Sequence, residues 1–532
     1  MNPLADTEAA KNPTAHEADD WKVKSVIFLS IWLTLMIAGR NGRYFNDADT
    51  FWHIAVGQRV LSSGVLIYTD PFSFTFEGKP WMSQSWLVEC GMALLHRMSG
   101  FDGILLAVVT LLAGLYTWVA HRLIRAGLHP LLAVFLMAVT IMASSYHFHA
   151  RPLLLTIALL GWTFAQLSDF EAGRIPLRRL FWLVPVFVLW ANVHGGMVGG
   201  LGTLGLTVAG WTIAYWFRWG GPLVRSQQIL WLSLLVVCCG LAAFVNPYGT
   251  DLLRVWFSLI QSPVIPRYIH ECLPLLHSGT GIAVVVLLLG FVYMAALLGV
   301  LPSRPRVTWL IPLVWLGLTW TRVRHGPLFA ITAVIALADI FPHVRWAKWL
   351  ADRGSVVFRL RTPDGTGVLK GLDWRSMLIP SAVVLATLVF HSMHYSFPLL
   401  GRDWARLDHV HWPVDLLPEL RKLEGSTTAG KPIFNDMEFG GFLMYHTPGF
   451  RVFIDGRCEL YGDDGLMDYV HALHDDPSQI EQWADQYGFD TALLRPDSAF
   501  DLYLQNASGW SMTHRTESAV IYRRTIKLAL RD

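Results

Sequence analysis

Charge is the first thing this chain lacks. Of its 532 residues only 15% are Asp, Glu, Lys or Arg, where a soluble protein carries roughly a quarter. A surface so poor in charge faces something other than water, which excludes an ordinary soluble enzyme. The formal net charge is +2, and no nucleic-acid partner is expected. Cysteine is scarce as well. The five present (Cys90, Cys238, Cys239, Cys272 and Cys458) show no CxxC or paired spacing, so neither a disulfide framework nor a zinc site is implied. Cys238 and Cys239 lie inside an apolar run and read as small core hydrophobes. A cleavable signal peptide is not expected either. The first twenty residues are polar and acidic, and the apolar run 23–39 ends in Arg40-Asn41-Gly42-Arg43 without a small-residue cleavage site. That run reads as a retained span. Internal repeats and low-complexity tracts are missing too.

What is abundant is apolar. Hydrophobic residues make up 53% of the chain, the mean hydropathy is +0.40, and many of the 24 tryptophans sit near the ends of apolar runs, as interfacial anchors do. Runs suited to crossing a bilayer fall at 23–39, 103–121, 130–146, 151–168, 180–193, 197–217, 229–245, 280–300, 307–321, 326–341 and 377–395. These predict about eleven transmembrane helices. The runs 85–98 and 251–262 read as further helices at the surface.

Basic residues in short loops set the orientation. One set of loops holds Arg122 and Arg125; Arg174, Arg178 and Arg179; Arg218 and Arg225; and Arg304 and Arg306. To the same side belongs the loop 342–376, with Arg345, Lys348, Arg353, Arg359, Arg361, Lys370 and Arg375. On the opposite side, the short loops after the first hold only Arg151, Arg254, Arg267, Arg322 and Arg324. The N-terminal tail, 1–22, is therefore expected inside. The long first loop, 40–102, and a C-terminal domain, 396–532, are expected outside, flanking a membrane module over 23–395.

The first outer loop opens on Asp47-Ala48-Asp49, followed by a helical run from Phe51 to Leu61. Pro71 ends any helix, Phe72 to Phe76 alternates like a strand, and Glu77 to Pro80 reads as a turn. Past Trp412 the composition becomes water-compatible. Short apolar strands at 433–434, 452–454, 491–494 and 520–522 alternate with helices at 413–423, 436–446, 463–474 and 478–487, and Gly425 to Gly430 reads as a loop. This predicts a small α/β domain.

Polar side chains recur at the outer ends of the spans: His147, His149 and Arg151; Asn192 and His194; Asn246 and Tyr248; Arg322, Arg324 and His325. A Pro or Gly stands beside each group, and broken helices at membrane depth are tolerated mainly where they line a watery cavity. With Asp47, Asp49, His53 and Glu89 they assemble one outward-facing site. Arginine and histidine suit a phosphate or diphosphate leaving group, and a carboxylate can deprotonate an acceptor. Asp49 is the candidate base, with Asp47 assisting, or the pair holding a divalent cation such as Mg2+ or Mn2+ through oxygen ligands. Plain readings stand beside these. Asp49 or Thr50 can be a helix N-cap, and His53 an interfacial residue. Arg151, Arg322 and Arg324 can be snorkelling anchors, His147 and His149 a loop pair, and Asn192 and Asn246 ordinary helix ends.

This pattern resembles the GT-C superfamily of membrane glycosyltransferases, whose members include protein mannosyltransferases, the aminoarabinose transferase and the catalytic subunit of oligosaccharyltransferase. The run from Asp47 through Trp52 and His53 to Gly57 resembles bacterial multi-pass proteins placed in that superfamily. So do Thr69-Asp70-Pro71 with the phenylalanines behind it, Trp81 to Trp86, Arg151-Pro152 and Ala191 to Gly196. The resemblance implies a polytopic helical fold with a C-terminal extracytoplasmic α/β domain, a first-loop aspartate (Asp49 or Asp47) as catalytic carboxylate, and a polyprenyl-phosphate or polyprenyl-diphosphate sugar as donor. It also implies a bacterial inner membrane. The acceptor, whether glycan, lipid or protein, stays open. Phe434 to Phe442 followed by Arg451 to Arg457 is similar in layout to the region around the oligosaccharyltransferase Trp-Trp-Asp signature. The paired tryptophans are missing, so peptide specificity does not carry over. Asp436, Glu438, Asp455 and Arg457 either reach the site or serve as turn and capping residues. The competing classes are a lipid-linked saccharide transporter, a ligase of preformed glycans and a non-catalytic assembly protein. Transporters often show paired halves, whereas here the charges gather at one face, which favours the enzyme.

Overall fold

The computed structural model describes residues 13–40, 42–355, 374–397, 400–401, 404–425 and 430–525. The start of the N-terminal tail, residues 356–373 of the basic loop with Arg359, Arg361 and Lys370, and most of the 425–430 loop lie outside the described residues.

The chain is a polytopic helical membrane protein with a small C-terminal sheet domain. Among the described residues eight helices are long and apolar enough to cross a membrane. Three further runs fold as shorter apolar helices: Leu183–Ala191, Ile311–Thr321 and Met377–Ser392. The first two cover only about 14 and 17 Å of rise. Asn192 and His194 with Gly195 stop one, and Pro312 and Arg322 bracket the other. Eight full helices and three shorter ones therefore stand where about eleven spans were expected. At the centre is Gly326–Ile340, buried on every side, as a helix that is apolar all round must be. It packs on Leu153–Glu171, Pro130–Ser144, Ile311–Thr321 and Thr280–Leu298. The polar helix ends tighten into 3₁₀ turns at Ser145–His147, Ala242–Phe244 and Val323–His325, which is how the predicted breaks are realised.

Three helices orient the rest: α1 (Pro13–Gly39), α2 (Ala48–Ser63) and α3 (Trp86–Arg125). α3 joins the expected surface helix 85–98 to the expected span 103–121 through a kink, with Ser99 non-helical and Gly100 at φ 59°, ψ −151°. That combination is open almost only to glycine. α2 lies close along the first part of α3. Gly57 makes this possible, since a Cβ there would overlap the Glu89 carbonyl.

The C-terminal domain is a five-stranded sheet in the order Phe450–Val452, Lys431–Asn435, Thr491–Leu494, Val520–Arg524, Trp510–Arg515. The first three strands run parallel and the last two pair antiparallel. The edge strand Trp510–Arg515 went unpredicted because only Trp510 in it is buried. It carries almost no apolar signal. The domain does not complete its core alone. Phe51, Trp52, Val56 and Val60 of α2, with Ile67 and Trp81 of the first loop, belong to the same apolar cluster as Phe434, Phe442, Phe453 and Leu493. The expected strand 72–76 is instead an extended segment bridging at Ser73 to Val452. Phe74 N donates to Val452 O (3.1 Å), and Val452 N donates to Phe72 O (3.1 Å). The loop thus caps the sheet edge without forming a strand of its own.

Candidate active site

The site begins with a helix cap. Asp47 is the N-cap of α2, extended at φ −122°, ψ 124°, and its side chain accepts from Asp49 N at 2.9 Å. The cap therefore lies earlier than Asp49 or Thr50, and Asp49 is free to point elsewhere from the first turn. Helix N-termini favour negative charge, so two carboxylates can be held together here. Asp49 Oδ1 accepts from Trp52 Nε1 at 2.8 Å. Its other oxygen meets Arg151 Nη2 at 2.5 Å. Arg151 Nη1 reaches Asp47 Oδ2 at 2.6 Å and also pairs with Glu271. One guanidinium thus gathers three carboxylates. Burial pushes the Asp49 carboxyl up to about 7 against the pull of Arg151, with Asp47 adding to the rise. For Glu271, burial also acts upward, but Arg151, His147 and Arg324 outweigh it and hold the carboxyl below its usual range. Around one cation, one carboxylate stays firmly ionised while another sits near neutrality, which is the division of labour an acid–base site needs.

Imidazoles line the other walls. His53 Nδ1 lies 2.9 Å from Glu89 Oε1, and Glu89 also accepts from Ser83. Burial, then Arg151, press the His53 pKa well down, so the ring that faces the carboxyl is neutral. His194 Nδ1 accepts from Gly196 N at 3.0 Å and lies 3.0 Å from Thr156 Oγ1, which leaves the proton on Nε2. Burial, then Arg324 and Arg151, lower its pKa to about 3. His147 Nδ1 is 3.8 Å from Glu271. His147 Nε2 and His149 Nδ1 are buried and without a partner among the described residues. Arg324 donates to Cys272 Sγ at 3.5 Å, and among the described residues it makes no carboxylate pair.

These groups open on a cavity of about 480 Å³. Of the residues expected from sequence, Asp47, Asp49, His53, Glu89, His149, Arg151, His194 and Arg324 line it, and His147 stands just behind through Glu271. Asn192, Asn246, Arg322 and His325 do not line it. The Asn192 amide ties Val188 O (2.9 Å) to Val245 O (2.8 Å) and accepts from Trp86 Nε1 (3.0 Å). Asn246 closes its own turn on Ala243 O (2.6 Å) and Tyr248 N (2.8 Å). Both asparagines hold helix ends in place. The His325 ring packs on Trp315.

Sequence reasoning missed Glu271, Tyr146 and Glu459, which also face the cavity, whereas Glu438, one of the four residues weighed as reaching the site, does line it. For Glu271 a signal existed: a lone acid in an apolar stretch between Pro266 and Pro274. Glu438 comes down from the C-terminal domain, paired with Arg495. Asp436 instead accepts from Arg495 N at 2.5 Å. Asp455 and Arg457 do not reach the cavity. Arg457 is fully buried, bonding Asp455 (2.8 and 2.7 Å) and Asp70 (2.7 Å), with its guanidinium over the Trp81 ring at 4.6 Å. Between them, Gly456 sits against Asp49, where a Cβ would collide with Oδ1.

A divalent cation at Asp47 and Asp49 fits this arrangement poorly. Their inward oxygens are already directed at Arg151, and no group of three or more His, Cys, Asp or Glu is placed to hold a metal among the described residues.

The bundle, the long first loop folded under a C-terminal domain, and the acidic helix start beneath that domain make up a fold shared with two solved membrane proteins. ArnT from Cupriavidus metallidurans, solved bound to undecaprenyl phosphate, is similar with a TM-score of 0.50 and 12% identity, over 95% of this chain and 98% of that one. The oligosaccharyltransferase AglB from Archaeoglobus fulgidus, solved with an inhibitory peptide and a dolichol-phosphate, is similar at a TM-score of 0.50 and 13% identity, over 88% of this chain and 69% of that one. No protein-family model and no curated protein matches the sequence.

Proposed function

We propose that the protein is a membrane glycosyltransferase that moves a sugar from a polyprenyl-phosphate or polyprenyl-diphosphate carrier to an acceptor on the outer face of a bacterial inner membrane. The observation that carries this reading is Asp49: a largely buried carboxylate held by Trp52 and Arg151 on the wall of a cavity that also holds Arg324, which among the described residues has no carboxylate partner. The shared fold with two proteins solved on polyprenyl or dolichol phosphates supports the donor class. In this reading Asp49 accepts the proton of the acceptor nucleophile as it attacks the anomeric carbon. The bond from that carbon to the phosphate oxygen breaks on the opposite face, which inverts the centre. The electron pair leaves with the phosphate, where Arg324 and His149 on the cavity wall meet the developing charge. Arg151 is a positioning residue, since three carboxylates already engage it. The charge bias of the loops supports an inside N-terminus and an outer site.

Asp49→Asn is the direct test. The variant should lose transfer by about two to four orders of magnitude while still retaining polyprenyl phosphate in native mass spectrometry. Undiminished transfer would remove Asp49 from the reaction.

A further inference from the structure

The end of the bundle remote from Asp49 holds a second and larger cavity, of about 760 Å³. α1, α3, Leu153–Glu171 and Trp374–Ser392 frame it. From its kink at Gly100 to Arg122, α3 rises about 33 Å, so the two cavities open toward opposite faces of a bilayer. The walls are apolar, with Phe28, Trp118, Trp162 and Leu385 on them, while Lys24, Arg122, Arg125 and Arg179 stand toward the helix ends. Asp169 also lines the cavity, but it is committed to Arg122 (3.0 and 2.7 Å) and Arg174 (2.8 Å). The rim is therefore cationic in excess.

Two further observations mark it as a place built for a ligand. Among the described residues Arg122 Nε and Thr117 Oγ1 are buried without a hydrogen-bond partner, and both residues line the cavity. The Arg122 side chain is only 9% exposed, and an unmet buried N–H on a charged group is costly unless an oxygen arrives to accept it. Gly114 is also on the wall, and a Cβ there would meet nothing within 4 Å. A neighbouring hollow lined by Arg178, Arg179 and Trp182 shares Trp162, Gln166 and Arg179 with this cavity.

We propose that this cavity binds one membrane phospholipid with an anionic headgroup. Its phosphate oxygens accept from Arg122 Nε, Arg125 and Arg179, and an acyl chain lies along Trp118, Trp162 and Leu385. The pairing of apolar walls with a cationic rim calls for an amphiphile. A soluble phosphate would leave the walls wet. The site is separate from the donor site, at the other face of the bundle.

The test is native mass spectrometry of the full chain, reconstituted with phosphatidylglycerol, phosphatidylcholine or undecaprenyl phosphate and then stripped with detergent. The wild type should keep one phosphatidylglycerol and release phosphatidylcholine. Arg125→Ala with Arg179→Ala should weaken retention by about thirtyfold. Gly114→Phe should exclude the phospholipid while undecaprenyl phosphate still binds, and its melting curve shows whether it is folded. Equal retention of both phospholipids, or unchanged retention in the two variants, would reduce the lipid to annular carry-over and overturn the proposal. Loss of undecaprenyl phosphate in a folded Gly114→Phe would also overturn it, by assigning the cavity to the polyprenyl carrier. Protection by inorganic phosphate alone, with no lipid retained, would count against it too.

Discussion

At the scale of single residues, Asp49 carries opposed demands. Burial raises its pKa from the usual carboxylate range to about 7, so protonation favours the folded state, and stability falls as pH climbs from that range to about 7. In the proposed reaction activity runs the other way, because Asp49 as base works ionised. The rate of transfer should rise through pH 7 and level off above it. Arg151→Ala removes the attraction that holds Asp49 down, so the rising limb should move to higher pH, readable in kcat/KM against pH; an unmoved limb would assign it to another group. Asp49→Asn should melt no lower than the wild type at pH 8, since it removes a buried charge. Chelation with EDTA should leave transfer unchanged, because Arg151 stands where a cation would neutralise Asp47 and Asp49; loss of transfer in chelator would show a metal after all. Much of this site was legible in the sequence, since two acids just past the first span, and Arg or His beside Pro or Gly at later span ends, are local patterns. Glu271 and Glu459 were not. Their relevance comes only from distant segments being folded over one another.

At the scale of elements, the approach of Phe450–Val452 and the turn after it to α2 depends on one hydrogen atom. Gly456 lies against Asp49 Oδ1, with no room for a Cβ. Gly456→Ala should push the carboxylate off Trp52 and lower transfer at least tenfold, with only a small change in melting temperature. An equal loss of fold and function would make Gly456 merely structural. The helices were the easy part of the sequence to read, because an apolar run needs no partner to be recognised. Two kinds of element escaped. Strand Trp510–Arg515 has a nearly all-exposed surface, and the kink of α3 hides in Ser99 and Gly100, two residues that read equally as a loop. Phe72 to Phe76 alternates like a strand, yet its partner is the edge of a sheet nearly four hundred positions away, so its conformation was set elsewhere.

At the scale of the whole molecule, the membrane bundle and the C-terminal domain share a core and a buried ion cluster. Arg457 joins Asp70 of the first loop to Asp455 of the domain, with no solvent access to any of the three side chains. Arg457→Ala should destabilise the protein by about 3–5 kcal/mol, because two carboxylates lose their partner in a dry interior. Arg457→Met should cost about as much for the same reason, and a small loss in both, read by denaturant titration, would show that water enters the cluster. The C-terminal domain expressed alone should not give a cooperative melt, since Phe51, Trp52 and Trp81 are missing from its core. Domain-level composition made both halves recognisable, but nothing in either half announces this dependence. It has a consequence for how the protein comes into being. Asp49 emerges from the ribosome early and Gly456 late, with the whole bundle made in between. A nascent chain that has threaded every helix still has an unroofed cavity, open to water, until the last hundred residues have folded onto the first.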